Sequence, residues 1–238
     1  MTHMLVSGIV PIHNEARVLQ KVLWSIRHQT LPLDELILVF DRCTDESELV
    51  ADGPEFKKMR IDAGSMSRAV RAGIGAARND RFVVFDANTL VPSNYVSGLV
   101  TTLQTRSADV VEWHGGMLAL TRSTLERFGP FSDLHLWTLE YFVRVKRLGG
   151  LHVNLRGPYV RLKRSPLRRN VWYGLDYASL SERYGLHPLF RIGTKSGLVP
   201  DSIALICACV GHAKKGHLME ALGAARRSFS RPESFSEG

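Results

Sequence analysis

The chain has 238 residues, of which 45% are hydrophobic and 23% charged, a composition that excludes disordered, collagen-like and disulfide-scaffold proteins. Its longest strongly apolar run, residues 203–211, is too short to cross a bilayer, and its three cysteines have no zinc-type spacing, so we expect a reducing, cytoplasmic location. The net charge of +8 falls entirely in residues 156–238, which hold 14 basic and 6 acidic residues, whereas residues 1–155 hold 17 of each.

The first 90 residues alternate strand-like and helix-like segments. Buried strands are predicted at 5–10, 36–40 and 82–85, and helices at 15–26 and 66–77. This order predicts an α/β protein whose central sheet is mostly parallel, with right-handed crossovers.

Polar groups follow each of these three strands. They are the segment Pro11-Ile12-His13-Asn14-Glu15, the pair Asp41-Arg42, and the segment Asp86-Ala87-Asn88. Each has a structural alternative: Asn14 as a helix cap, Asp41 as a turn residue and Asp86 as a cap. Ligands of parallel sheets bind beyond the carboxyl ends of the strands, and three polar groups at one edge favour a ligand site there.

The later segments are less regular. Helices are predicted at 93–105, near 123 and at 139–148, and a strand at 110–113. The elements and the charge together predict a domain over 1–155, a basic helical extension over 156–227 and a disordered tail over 228–238.

The order of the motifs resembles that of the family 2 inverting glycosyltransferases, which have the GT-A fold. Val10-Pro11-Ile12-His13-Asn14-Glu15 is similar to the V-P-x-Y-N-E start of that family, and residues 25–30 (SIRHQT) to its S-I-x-x-Q-T helix end. Residues 39–45 (VFDRCTD) resemble V-D-D-x-S-T-D, and residues 84–88 (VFDAN) resemble the F-L-D-A-D metal motif. The resemblance covers about residues 5–150 and implies a three-layer α/β/α nucleotide-sugar-binding and acceptor domain.

The resemblance implies roles for single residues. Pro11, His13, Asn14 and Glu15 would line the nucleotide pocket, and Asp41 would accept a hydrogen bond from the base. A carboxylate can accept from a ring N–H of uracil or guanine, and an imidazole can stack on the base. Arg68 would lie near the diphosphate, with an exposed basic helix face as the equal alternative.

The metal motif departs from that of the family. Paired aspartates there hold Mg²⁺ or Mn²⁺ against the diphosphate. Asp86 would be the metal ligand here, but Asn88 replaces the second aspartate and removes one negative charge. The sequence therefore predicts weak binding of a Mg or Mn divalent cation, which a basic side chain such as Arg68 could offset.

The catalytic base departs as well. Inverting transfer needs a carboxylate that takes the proton of the acceptor hydroxyl, and the family supplies it from an E-D pair. Trp137 and Thr138 occupy those positions here, with Asp133 and His135 just before them. Glu140 is our candidate, with an i,i+4 ion pair to Arg144 as an alternative of equal weight.

The basic third carries cations beside aromatic residues. Arg161, Lys163, Arg164, Arg168 and Arg169 precede Trp172 and Tyr173, a composition that suits an anionic membrane surface or a lipid-linked phosphate acceptor. Single-stranded nucleic acid would suit the same composition. No nucleic-acid motif accompanies it, so we expect no nucleic-acid partner.

These observations predict a glycosyltransferase of the hexosyltransferase type. It would transfer a sugar from a nucleotide-diphosphate donor to an acceptor hydroxyl with inversion, on a lipid-linked or cell-envelope glycan, in the cytoplasm or peripherally at the inner face of the membrane. Phe40, Asn88 and the missing E-D pair leave open a degenerate GT-A protein that is a binding or scaffolding subunit. A nucleotidyltransferase is a weaker alternative, because no Gly-rich phosphate loop follows the first strand.

Overall fold

A computed structural model of the chain describes residues 5–114 and 116–163, and eight residues between 172 and 184. The chain divides into two compact units, Met1–Arg164 and Ser165–Gly238, and all of the described strands lie in the first. None of the helices in the described residues is long and apolar enough to span a membrane. Most of the predicted basic helical extension over 156–227, and all of the predicted tail over 228–238, lie outside the described residues.

The described part of the first unit contains nine strands and six helices. The strands are β1 (Ser7–Ile12), β2 (Glu35–Asp41), β3 (Phe56–Ile61), β4 (Arg81–Val84), β5 (Thr89–Leu90), β6 (Val110–His114), β7 (Met117–Thr121), β8 (His152–Asn154) and β9 (Val160–Arg161). The helices are α1 (Ala16–Arg27), α2 (Ser47–Val50), α3 (Met66–Ala76), α4 (Tyr95–Thr105), α5 (Arg122–Phe128) and α6 (Trp137–Arg147).

Seven strands form one sheet in the order β3-β2-β1-β4-β7-β6-β8. β7 is antiparallel to both of its neighbours, β4 and β6, and the other pairs are parallel. The predicted mostly parallel sheet is therefore confirmed. The carboxyl ends of β1, β2 and β4 lie at the same edge, as the sequence predicts.

Helices cover both faces of this sheet, because residues along the buried strands alternate between two apolar cores. On one face Val10, Leu38 and Val83 pack with α1 and α4 through residues such as Leu19 and Tyr95. On the other face, Ile9, Ile37 and Val84 pack with α3 and α6, through residues such as Val70, Ile74 and Tyr141. The result is the three-layer α/β/α arrangement.

Pro11 lies inside β1, although the sequence predicts that this strand ends at residue 10. β1 pairs with β2 from Ser7 to Ile12, but with β4 only from Ser7 to Ile9. Position 11 therefore has no neighbouring strand on the β4 side, and a residue without an N–H is tolerated there. The early end of the β1–β4 pairing also opens the sheet at its carboxyl edge.

Residues 156–163, which the sequence assigns to the basic extension, belong to the first unit. β9 pairs antiparallel with β5 in a two-stranded sheet, with Thr89 opposite Arg161. The N–H of Leu162 donates to the carbonyl of Asn88 at 2.8 Å. These contacts place the start of the basic third directly beside the segment that follows β4.

Candidate active site

His13 and Asp41 meet where β1 and β2 end. Nδ1 of His13 lies 2.7 Å from the backbone carbonyl oxygen of Asp41. A carbonyl oxygen only accepts, so the proton of a neutral imidazole is on Nδ1 and Nε2 is left as an acceptor. The His13 side chain is exposed, so its ring is accessible at this edge.

Asn14 joins the loop after β2 instead of capping α1. Its backbone has a φ of 56°, and its Oδ1 accepts from the N–H groups of Thr44 at 2.7 Å and Asp45 at 3.3 Å. α1 begins at Ala16, whose N–H donates to Asp45 at 3.0 Å. The structural alternative for Asn14, a cap of this helix, is therefore wrong, because the N–H of Ala16 is capped by Asp45 of the neighbouring loop.

The carboxylate of Asp41 holds the turn between β3 and α3. Asp41 is 5% exposed. Its Oδ1 accepts from the N–H groups of Ala63 at 2.8 Å and Gly64 at 2.9 Å, and its Oδ2 from that of Ser65 at 3.0 Å. A carboxylate has about four acceptor positions, and the turn uses three of them. The hydrogen bond from Asp41 to a nucleobase stays a prediction.

Arg68, in the first turn of α3, forms an ion pair with Asp133. Asp133 also accepts hydrogen bonds from the hydroxyls of Ser65 and Ser67. The hydrogen bond from Ser65, together with the Arg68 guanidinium, holds the pKa of Asp133 below its ordinary value of 3.8, so this carboxylate is ionised at neutral pH. The predicted role of Arg68 at a diphosphate is untested.

Glu15, Asp86 and Asn88 come together at the gap between β1 and β4. The Nδ2 of Asn88 donates to Oε1 of Glu15 at 3.3 Å, and the Glu15 residue is 9% exposed. The hydroxyl of Thr89 lies 3.4 Å from both Asp86 Oδ2 and Asn88 Oδ1. This edge thus gathers two carboxylates and one amide.

Two cations from the β9 segment face these carboxylates. Nη2 of Arg161 lies 3.6 Å from Oδ2 of Asp86. Nζ of Lys163 donates to Oε2 of Glu15 at 3.1 Å and to the carbonyl of Asn14 at 2.8 Å. The side chains of Arg161 and Lys163 are 39% and 44% exposed, so both remain accessible from solvent.

These contacts involve residues that were predicted to bind an anionic membrane surface. Two of its five predicted cations, Arg161 and Lys163, point toward carboxylates of the site. Arg164, Arg168 and Arg169 lie outside the described residues, and binding to an anionic membrane stays a prediction.

The residues present do not fit a divalent-cation site. Mg²⁺ and Mn²⁺ usually bind through one or two protein carboxylates together with water and substrate phosphate oxygens, so those carboxylates have to be available to the ion. Across the described part of the chain, no group of three or more His, Cys, Asp and Glu side chains could hold a metal ion. Asp86 faces a guanidinium, Glu15 faces an ammonium group, and the Asn88 amide presents its Nδ2 to Glu15.

Glu140, the predicted base, lies in the interior. Its side chain is 2% exposed and its Oε2 accepts from Arg144 at 2.8 Å. Arg144 also donates to the carbonyls of Phe128 and Pro130, each at 2.8 Å, so the pair holds the turn between α5 and α6. A base must meet a hydroxyl that arrives from solvent. The structure therefore favours the ion pair over the catalytic role of Glu140.

A cavity of about 440 Å³ opens on one side of this edge. Asn14, Glu15, Asp45, Leu162 and Lys163 contribute to its wall. Of the predicted site residues, Asn14 and Glu15 line it, whereas His13, Asp41 and Asp86 do not.

A mostly parallel sheet with one antiparallel strand, and polar groups at the carboxyl ends of β1, β2 and β4, define an α/β protein with a ligand site at that edge. The family model of glycosyl transferase family 2 matches residues 7–126, half of the chain, and the chain belongs to that family. This confirms the resemblance to the family 2 glycosyltransferases.

One curated relative is glycosyltransferase GlyG of Streptococcus pneumoniae serotype 4, which is 30% identical over 113 residues. The match covers 45% of this chain and 38% of the relative. The chain thus matches well under half the length of that protein.

Solved structures share the fold. Glucosyl-3-phosphoglycerate synthase from Mycobacterium tuberculosis, in complex with Mn²⁺, UDP and phosphoglyceric acid, superposes with a TM-score of 0.67 at 18% identity over 77% of this chain and 79% of its own. Mannosyltransferase PcManGT from Pyrobaculum calidifontis, in complex with GDP-Man and Mn²⁺, has a TM-score of 0.67 at 19% identity over 98% of this chain and 77% of its own. These likenesses confirm the predicted GT-A fold.

Part of the site was not predicted from the sequence. Arg161 and Lys163 were expected in a separate basic surface, and neither Ser65 nor Asp133 was connected with the end of β2. The sequence feature that could have identified Asp133 is its position just before α6. No local pattern predicts a two-residue pairing such as that of β5 with β9.

Proposed function

We propose that this protein is an inverting sugar transferase that binds a nucleotide-diphosphate donor at the carboxyl edge of β1, β2 and β4. The observation that carries the proposal is the convergence of His13, Glu15, Asp41, Asp86 and Asn88 at that edge of a family 2 fold. Relatives of the same fold have been solved with UDP or GDP-Man. The proposed acceptor is a hydroxyl of a lipid-linked or cell-envelope glycan.

The donor side is formed by His13 and the first turn of α3. The exposed imidazole of His13 offers a face on which a nucleobase stacks. Ser65 is the N-cap of α3, an 11-residue helix whose N-terminal end favours negative charge. Arg68 lies in that turn and can exchange its contact with Asp133 for one with a phosphate oxygen.

The base that we assign is Asp133 in place of Glu140. Its side chain is 38% exposed, and it lies on the loop just before α6. In the transfer, the acceptor oxygen bonds to the anomeric carbon as the bond from that carbon to the phosphate oxygen breaks. The electron pair of the broken bond stays on the nucleoside diphosphate, and the hydroxyl proton passes to Asp133. If Arg68 moves to the diphosphate, the pKa of Asp133 rises, which makes it a stronger base.

A second candidate function is a non-catalytic binding subunit. Trp137 and Thr138 cannot act as bases, and Glu140 is buried in an ion pair. On this alternative the donor edge binds a nucleotide sugar without transferring the sugar. Binding of a nucleotide sugar without turnover would therefore distinguish the binding subunit from the sugar transferase.

A thermal-shift screen tests the proposal. The protein is heated with UDP-, GDP- and dTDP-sugars, each with Mn²⁺ or with EDTA, and with nucleoside monophosphates as controls. We expect one diphosphate sugar to raise the Tm by several degrees at saturating concentration. Release of nucleoside diphosphate, with water as acceptor, then reports turnover. A Tm that no nucleotide sugar raises would contradict the proposal, and a raised Tm without release would support the binding subunit.

A further inference from the structure

Two side-chain cations lie at the carboxyl edge of the sheet. Arg161 lies beside Asp86 at 3.6 Å, and Lys163 beside Glu15 at 3.1 Å. Both cations are held in place by backbone, because β9 pairs with β5 and Leu162 donates to the carbonyl of Asn88. Their position is therefore fixed by the segment that directly follows β4.

The charges of this cluster balance. Asp86 and Glu15 contribute −2, Arg161 and Lys163 contribute +2, and Asn88 contributes nothing, so the sum is zero. One divalent cation between the same two carboxylates would give the same sum. Two side-chain cations thus supply the charge that a metal ion would supply.

The neutral amide of Asn88 is compatible with this balance of charges. Its Nδ2 donates to Oε1 of Glu15 at 3.3 Å. An aspartate at this position would bring a second carboxylate against Glu15, at a cost that only an added cation could offset. The amide instead satisfies one oxygen of Glu15 while Lys163 satisfies the other.

We infer that Arg161 and Lys163 bind the diphosphate of the donor in place of a divalent cation, so that donor binding does not depend on metal. This inference rests on the proposed function. A guanidinium presents several N–H donors in a planar fork that matches two phosphate oxygens, and an ammonium group presents three donors. Both charges also stabilise the nucleoside diphosphate as its bond to the sugar breaks.

The test uses calorimetry with inorganic pyrophosphate and with the donor found in the thermal-shift screen, both in EDTA. The variants are Arg161→Gln, Lys163→Gln and the double variant, with Arg161→Lys to keep the charge. Arg127→Gln is the matched control, because it breaks a comparable pair with Asp109, which lies just before β6 and away from the carboxyl edge. Circular dichroism shows whether each variant is folded. If the double variant is unfolded, the single variants are used for the binding test.

We expect wild type to bind both probes in EDTA, with Mn²⁺ changing the affinity by less than about threefold. Each Gln variant should lose about tenfold or more, as for a charged hydrogen bond, whereas Arg161→Lys loses less and Arg127→Gln nothing. Mn²⁺ titrated alone should bind the double variant more tightly than wild type, because two carboxylates are released. Donor binding that needs Mn²⁺, or that is unchanged in the double variant, would overturn the inference and leave the proposed function intact.

If no nucleotide sugar binds wild type, the proposed function fails. The binding of pyrophosphate to wild type and to the Gln variants then tests the inference. Pyrophosphate binding that disappears in the Gln variants would support a metal-free diphosphate site. Its absence in wild type, or its persistence in the variants, would overturn that site.

Discussion

Arg161 and Asp86 lie on segments far apart in sequence, yet the guanidinium of one is 3.6 Å from the carboxylate of the other. The pairing of β9 with β5 brings them together. The residues after the family 2 match at 7–126 therefore complete the site, and a chain cut before β9 would lose both cations.

Asn88→Asp should make the protein respond to metal. The new carboxylate would face Glu15, where the Asn88 amide nitrogen now lies 3.3 Å from Oε1, and two like charges at this distance are unfavourable. We expect a lower Tm at pH 7 and a rise in Tm with Mn²⁺ that wild type lacks. Asn94→Asp makes the same chemical change at an exposed residue and is the control. An equal effect of Mn²⁺ on both variants would contradict the expectation.

Glu140→Gln should lower the stability of the protein, whereas Asp133→Asn should remove its turnover. Glu140 is 2% exposed and paired with Arg144, so its neutralisation should lower the free energy of unfolding by about 3 kcal/mol. Asp133→Asn keeps the shape of the side chain and should stay folded, with donor binding retained and release of nucleoside diphosphate lost. Urea unfolding and turnover are measured for both. Wild-type stability with lost turnover in Glu140→Gln would restore Glu140 as the base.

Asp41→Ala should loosen the turn that begins α3. It removes the acceptor of the N–H groups of residues 63–65 and should cost about 1–3 kcal/mol of unfolding free energy. We also expect weaker donor binding, measured by calorimetry, because Ser65 and Arg68 follow this turn. Asp62→Ala is the control, since the Asp62 side chain is 82% exposed. Equal stability and donor affinity in the two variants would show that the turn does not depend on Asp41.

Glu35 should make stability fall at acid pH. Burial alone would raise its pKa, but hydrogen bonds from the Ser7 hydroxyl and the Arg78 N–H outweigh burial and hold the pKa below the ordinary value of 4.5. A lowered pKa in the folded state adds stability above the unfolded value, and this is lost as the pH falls through the folded value. Urea unfolding between pH 7 and pH 3 should show a smaller loss in Glu35→Gln than in wild type. The same loss in both would contradict the assignment.

The elements that position the site were predictable where burial is continuous. β1, β2 and β4 are apolar runs, and α1 and α3 have a clear helical period. β3 was missed because it lies at the sheet edge and exposes Lys57 and Lys58, so it has no apolar run. Lysine on an edge strand discourages pairing with other chains. It also interrupts the apolar pattern from which a strand is predicted.

The roles of single residues were harder to predict, since they depend on contacts between distant segments. The Asn14 side chain bonds to Thr44 and Asp45 instead of to its own helix. Arg161 and Lys163 appeared as part of a basic surface, because charge counting does not show which carboxylate faces a cation. Glu140 and Arg144 differ from these, because their i,i+4 spacing indicated the observed ion pair as one of the two alternatives for Glu140.

The central claim is that a nucleotide-diphosphate sugar binds at the carboxyl edge of β1, β2 and β4. Hydrogen–deuterium exchange, measured with and without saturating donor, tests it most directly. We expect slower exchange in residues 12–15, 62–68 and 86–90 and in β9, with the opposite edge near Asp109 unchanged. Protection confined to other segments, or no protection when the donor is bound, would contradict it.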